Sequence, residues 1–122
     1  MQRFLKLFFA ATLAAPIATT SAFAHALLDH AIPGVGLTVS GSPRELRLYF
    51  TQGVVTAFSH VHVVSAAGAA IPASKPVGDP SDQTIVIVRL GHALPPGTYS
   101  VTWYVVSVDT HTTQGTFSFT VS

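Results

Sequence analysis

Tyr99-Ser100-Val101-Thr102-Trp103-Tyr104-Val105 and Thr116-Phe117-Ser118-Phe119-Thr120-Val121 are the two stretches whose reading decides the fold. Tyr99, Val101, Trp103 and Val105 share one face, and Phe117, Phe119 and Val121 alternate with Thr116, Ser118 and Thr120. Successive side chains of an extended strand point to opposite faces, so this period of two marks half-buried strands. Leu46, Leu48 and Phe50 alternate in the same way with Glu45, Arg47 and Tyr49, and Val61 and Val63 with His60 and His62. Thr84 to Leu90 is rich in β-branched and apolar residues on both faces, as a strand covered on both sides requires. No stretch carries a convincing helical period of 3.6. Turn chemistry separates the runs at Pro33-Gly34, Gly41-Ser42-Pro43, the loop from Pro72 to Asp82, and Pro95-Pro96-Gly97. About six or seven short strands in one small domain predict an all-β, immunoglobulin-like Greek-key sandwich or barrel.

The first 24 residues carry a different signal. Arg3 and Lys6 precede an apolar run from Leu7 to about Ile17, and Ala22-Phe23-Ala24 is a small-x-small cleavage pattern. The run is interrupted by Pro16 and falls short of the roughly 20 residues of a bilayer span. Residues 1–24 therefore read as a cleaved secretory signal peptide and residues 25–122 as the exported, periplasmic domain, with no stable membrane insertion after cleavage. Losing Arg3 and Lys6 brings the remaining charge near balance. No basic patch is left to suggest nucleic acid or an anionic membrane surface. There is no cysteine, so the domain must hold together by packing alone and cannot bind metal through thiolate.

Six histidines against five acidic residues is an unusual ratio. Cleavage after Ala24 would leave His25 as the first residue, with a free α-amine beside its own imidazole. Those two nitrogens form a chelate closed before any metal arrives. An α-amine titrates near pH 8 and an imidazole near 6.5, so few protons need displacing at neutral pH. Nitrogen donors in a planar set suit Cu²⁺, which also heads the divalent affinity order. The bland alternative is a frayed terminus that carries a histidine by chance. Asp109-Thr110-His111 is the second feature. If the backbone is extended there, Asp109 and His111 point to one side with Cβ atoms about 7 Å apart, close enough to share an ion. The motif sits in a polar connection that ends at Gly115, between the Trp103 and Phe117 strands. A hairpin turn in which Asp109 caps its own backbone and His111 is solvated would carry the same residues.

The start His25-Ala26, the pattern Pro43-x-Glu45-Leu46-x-Leu48-x-Phe50, and Val101-x-Trp103-x-Val105-Val106-Ser107-x-Asp109-Thr110-His111 followed by Gly115-x-Phe117-x-Phe119-x-Val121 together resemble the CopC family of periplasmic copper-resistance proteins. The resemblance covers essentially all of residues 25–122. It implies one Cu²⁺ site whose ligands are the amine and imidazole of His25, the Asp109 carboxylate and the His111 imidazole. It also implies a CopD-like membrane protein as the partner that takes copper onward, and a monomer that carries or buffers the ion. Where the family often has a Glu shortly after the second-strand Phe, this sequence has Gln52, whose amide offers a hydrogen bond but no charge. Some members carry a Met-rich loop for Cu⁺. The only methionine here is Met1, so the thioether ligands of such a site are absent.

The remaining histidines have separate readings. His60 and His62 share the polar face of one strand and could chelate a metal between them, or stand solvated. Asp29 and His30 lie near the new terminus and could join or compete at the site. His92 reads as a loop residue and Trp103 as the core aromatic of a sandwich. Two other functions compete with a copper-binding module. A terminal His plus a second His is also the constellation of histidine-brace copper oxygenases, but Asp109 would fill the position such enzymes keep open. A metal-free structural sandwich is the other. The sequence predicts a binding protein, not an enzyme.

Overall fold

The alternation of apolar and polar residues becomes two packed sheets in the computed structural model, which describes residues 25–122. The signal-peptide reading of residues 1–24 lies outside the described residues. Nine strands follow one another: β1 (Leu28–Ile32), β2 (Thr38–Val39), β3 (Glu45–Phe50), β4 (His60–Ser65), β5 (Ala70–Ile71), β6 (Val77–Asp79), β7 (Asp82–Arg89), β8 (Gly97–Val106) and β9 (Thr112–Val121). Among the described residues one 3₁₀ turn, Thr56–Phe58, sits between β3 and β4. One sheet has the order β1-β3-β7-β6 and the other β2-β9-β8-β4-β5. Among the described residues no helix is long and apolar enough to cross a membrane.

The all-β sandwich expected from the sequence is what forms, with more strands than the six or seven expected. The additional strands are β2, β5 and β6, of two or three residues each. Such fragments are too short to show a period, and their pairing with β9, β4 and β7 is a main-chain property that side-chain pattern does not report. The β8–β9 hairpin is also longer than expected. Its ladder runs from Gly97↔Val121 to Val106↔Thr112, so Gly115 lies within β9 and not at the end of a polar connection. Thr112, Thr113 and Gln114 extend the strand because a ladder needs only backbone partners.

The inward residues meet as the pattern requires. Leu46, Leu48 and Phe50 of β3 and Val86 and Val88 of β7 pack against Tyr99, Val101, Trp103 and Val105 of β8 and Phe117, Phe119 and Val121 of β9. Burying each large side chain of this kind contributes roughly 1.5–3 kcal/mol. Phe50 meets Trp103 edge to face, with ring centroids 5.2 Å apart at 77°. The Tyr99 hydroxyl donates to the Pro95 carbonyl at 2.6 Å and pins the Pro-Pro-Gly bend to the strand it precedes.

Gly115 faces Trp103 across the ladder, and a Cβ there would stand 2.5 Å from Trp103 Cζ2. The indole is buried and cannot step aside cheaply. Gly115→Ala is therefore expected to destabilise the fold by about 1–3 kcal/mol, the usual cost of overpacking a filled core. Urea unfolding followed by Trp103 fluorescence measures it, and an unchanged midpoint would refute the close contact.

Candidate metal centre

At the end of the sandwich where β3 stops, the segment His25–Leu27 is fastened to both sheets. Thr51, immediately after β3, accepts the Leu27 N–H on its hydroxyl oxygen at 3.0 Å and donates to the His25 carbonyl at 3.4 Å. Its own N–H donates to the Leu27 carbonyl at 2.9 Å. From the other sheet, the Thr113 hydroxyl donates to the Ala26 carbonyl at 2.6 Å. Ala26 is 1% exposed and belongs to the core. Residues 25–27 are thus docked against both sheets.

The β8–β9 hairpin closes over residues 107–111 at the same end. The Ser107 N–H donates to the His111 carbonyl at 2.8 Å and the Thr110 N–H to the Ser107 carbonyl at 2.8 Å. Thr110 has a φ of 73°, left-handed backbone that a β-branched residue adopts only when its surroundings impose it. Here its hydroxyl donates to the Asp109 carbonyl. The Val108 N–H donates to the Gly53 carbonyl at 2.9 Å and ties the loop to the turn after β3. The extended geometry expected for Asp109-Thr110-His111 is therefore replaced by a tight turn. Asp109 and His111 still come together, because the chain reverses between them: Asp109 Oδ1 lies 3.4 Å from both His111 Nδ1 and the His111 N–H nitrogen. Asp109 does cap its own turn, as the bland alternative supposed, but His111 is not simply solvated.

The buried Ser107 hydroxyl reaches Asp109 Oδ1 and, at 3.1 Å, the His111 carbonyl. That hydroxyl is the chief reason the Asp109 carboxyl is held below the usual carboxylate range, with the His111 N–H, ring and charge adding to it. The His25 ring lies across the His111 ring, centroids 4.7 Å apart at 89°. His25 Nδ1 is buried and has no hydrogen-bond partner. A buried nitrogen without a partner is costly, and such a group usually signals a role.

His25, Asp109 and His111 thus stand at one end of the molecule. Among the described residues no three His, Cys, Asp or Glu side chains form a ready-made metal cluster. Of the four donor groups expected for the ion, the α-nitrogen of His25 is bonded to Ala24 in this chain.

The other candidates are placed elsewhere. His30 Nδ1 lies 2.7 Å from Asp29 Oδ2 and its ring stacks on Tyr49 at 4.1 Å, so both are engaged with each other and the β1–β3 face. His92 is exposed beside Pro43 and Arg44. Gln52 is half-buried next to Thr51, and the hydrogen bonds to the terminal segment come from Thr51. Thr51, Ser107 and Thr113 were not singled out in the sequence. A hydroxyl two residues before Asp109 was the available signal for Ser107. Nothing local distinguishes Thr51 or Thr113 from other strand threonines.

Comparison with known proteins adds the family. The model described as the CopC domain matches residues 28–122, which include Asp109 and His111 and begin just after His25. The chain is 38% identical over 111 residues to Protein YobA of Escherichia coli strain K12, covering 91% of this chain and 90% of that one. It is 34% identical over 113 residues to Copper resistance protein C of Xanthomonas campestris pv. juglandis, covering 88% of each. Among solved structures it resembles CopC from Methylosinus trichosporium OB3b, with a TM-score of 0.75 at 28% identity over 80% of this chain and 94% of that one. PcoC, a methionine-rich copper resistance protein from Escherichia coli, gives a TM-score of 0.73 at 26% identity over 80% and 99%.

Proposed function

This chain belongs to the CopC family, and from that premise we propose that it is a copper-binding protein of copper resistance or homeostasis, exported to the periplasm and active once residues 1–24 are removed. Copper is its cargo. Cu²⁺ is held by the α-amine and Nδ1 of His25, the carboxylate of Asp109 and the imidazole of His111. The protein carries or buffers the ion as a monomer and passes it to a CopD-like membrane protein.

The observation that carries this reading is the buried, partnerless Nδ1 of His25 against the His111 ring. In an N-terminal histidine, Nδ1 is the ring nitrogen that closes a six-membered chelate with the amine through Cα, Cβ and Cγ. Two imidazoles, one amine and one carboxylate make a square set of N and O donors, the kind that Cu²⁺ prefers. A square set filled by four protein donors offers no equatorial position for oxygen, which favours a carrier over a histidine-brace oxygenase. Asp109, held low by Ser107, stays anionic and contributes charge without competing for protons.

Acid should therefore release copper through the nitrogens. An ordinary α-amine with a pKa near 8 is already mostly protonated at pH 7, so affinity is expected to fall about tenfold per unit below that. A Cu²⁺ competition titration against a chelator of known pH behaviour, run from about pH 5 to 8, reads this out. A flat profile above about pH 5.5 would mean a carboxylate-dominated site and would overturn the His25-centred one.

A further inference from the structure

The outer face of the five-stranded sheet carries two imidazoles that the terminal site does not use. His60 and His62 alternate with the buried Val61 and Val63 on β4, and both are exposed. They oppose Tyr104 and Thr102 of β8 in the ladder. Their rings lie nearly parallel, 5° apart in plane, with centroids 6.4 Å apart. The His60 ring also lies 6.1 Å from the Tyr104 ring. Ala73, Ser74, Lys75 and Pro76 form the other wall of a shallow cleft of about 160 Å³ along this pair.

We propose that His60 and His62 form a second, weaker and exchangeable site for a divalent ion that prefers imidazole, taken here as Cu²⁺. A metal–nitrogen bond of about 2.0–2.1 Å puts a ring centre about 3.2 Å from the ion, so two imidazoles on one ion have centroids between roughly 4.5 and 6.4 Å apart. The observed separation is at the open end of that range. Exposed rings rotate freely on a fast timescale and can turn their nitrogens inward. The strand fixes the spacing of the two Cβ atoms, so the pair is preorganised and binding orders only two side chains. Water completes the coordination, which makes the site open and quick to exchange. Lys75 is the cation nearest this cleft. It repels an ion only weakly, because its charge is at the exposed surface and is screened by salt. With no thiolate or thioether near, the donors select Cu²⁺ over Cu⁺.

The site does not depend on His25, and the test keeps the two apart. The chain beginning at His25 is titrated with Cu²⁺ by equilibrium dialysis while histidine ring signals are followed by nuclear magnetic resonance. Two equivalents are expected, with the His60 and His62 ring signals broadening together during the second. His60→Ala plus His62→Ala should take only one equivalent, and either single change should weaken the second by about a hundredfold, since one arm of a linked pair is lost. In His111→Ala the paired broadening should persist even though the terminal site is damaged. Circular dichroism checks that each variant folds, which two exposed positions favour. The inference is overturned if the unsubstituted chain takes one equivalent, if the double variant still takes two, or if His30 or His92 broadens in place of the pair.

Discussion

A chain that keeps even one residue ahead of His25 should bind Cu²⁺ far more weakly than one that begins at His25. The cause is chemical. A free α-amine is a good donor near neutral pH, whereas the same nitrogen in a peptide bond keeps its proton and its lone pair is delocalised into the carbonyl. Two of the other proposed donors already lie close together, the His25 and His111 rings being 4.7 Å apart, and Asp109 is held by Ser107. Adding a residue removes one arm of a preformed chelate, and loss of a linked arm costs on the order of a hundred- to ten-thousandfold. Competition titrations on the two forms, with electron paramagnetic resonance to count coupled nitrogens, make the comparison. Equal affinity for both would show that the amine is not a ligand. It would also remove the reason to link copper binding to export, because the precursor would then bind as well as the processed chain.

The second large effect is expected at the side chains. His25→Ala and His111→Ala should each weaken Cu²⁺ binding by about a hundredfold or more, since each removes a nitrogen donor that water replaces poorly. Asp109→Asn keeps the shape and loses the charge, so its effect should be intermediate, about tenfold. Ser107→Ala should act through Asp109 and His111. Its hydroxyl reaches the Asp109 carboxylate and the His111 carbonyl, and groups that orient ligands in this way are worth about 10–100-fold in metal affinity. His92→Ala, exposed in a loop on other partners, should change nothing. The same titration ranks all five. If replacing both His60 and His62 costs the first equivalent more than His111→Ala does, the primary site is on β4 and not at the terminus.

Much of this protein is legible along the chain. The strands β3, β4, β8 and β9 follow from a period of two, because a pleated backbone forces alternate side chains onto alternate faces whatever the rest of the fold does, and β7 from its β-branched and apolar residues on both faces. The apolar half of each pattern is the observed core, from Leu46 to Val121. The short edge strands β2, β5 and β6 were invisible for the complementary reason: two or three residues hold no period, and their pairing comes from backbone groups every residue possesses. The candidate donors could also be picked out along the chain, since Asp109 and His111 are two residues apart and His25 follows a cleavage pattern.

Their arrangement could not. The sequence by itself determined that the protein is an all-β sandwich and which donors it has to offer an ion. Tertiary structure alone decided that His25, Asp109 and His111 lie at one end of the sandwich. Thr51, just after β3, and Thr113 of β9 bind the backbone of residues 25–27 and hold it against the β8–β9 hairpin. The left-handed Thr110 then turns His111 back onto Asp109, into direct contact at 3.4 Å that an extended segment would not give. Contacts of this kind join residues far apart in the chain through hydroxyls and carbonyls that look the same at every strand position. Only the closing of the two sheets on one core selects which of them come within reach.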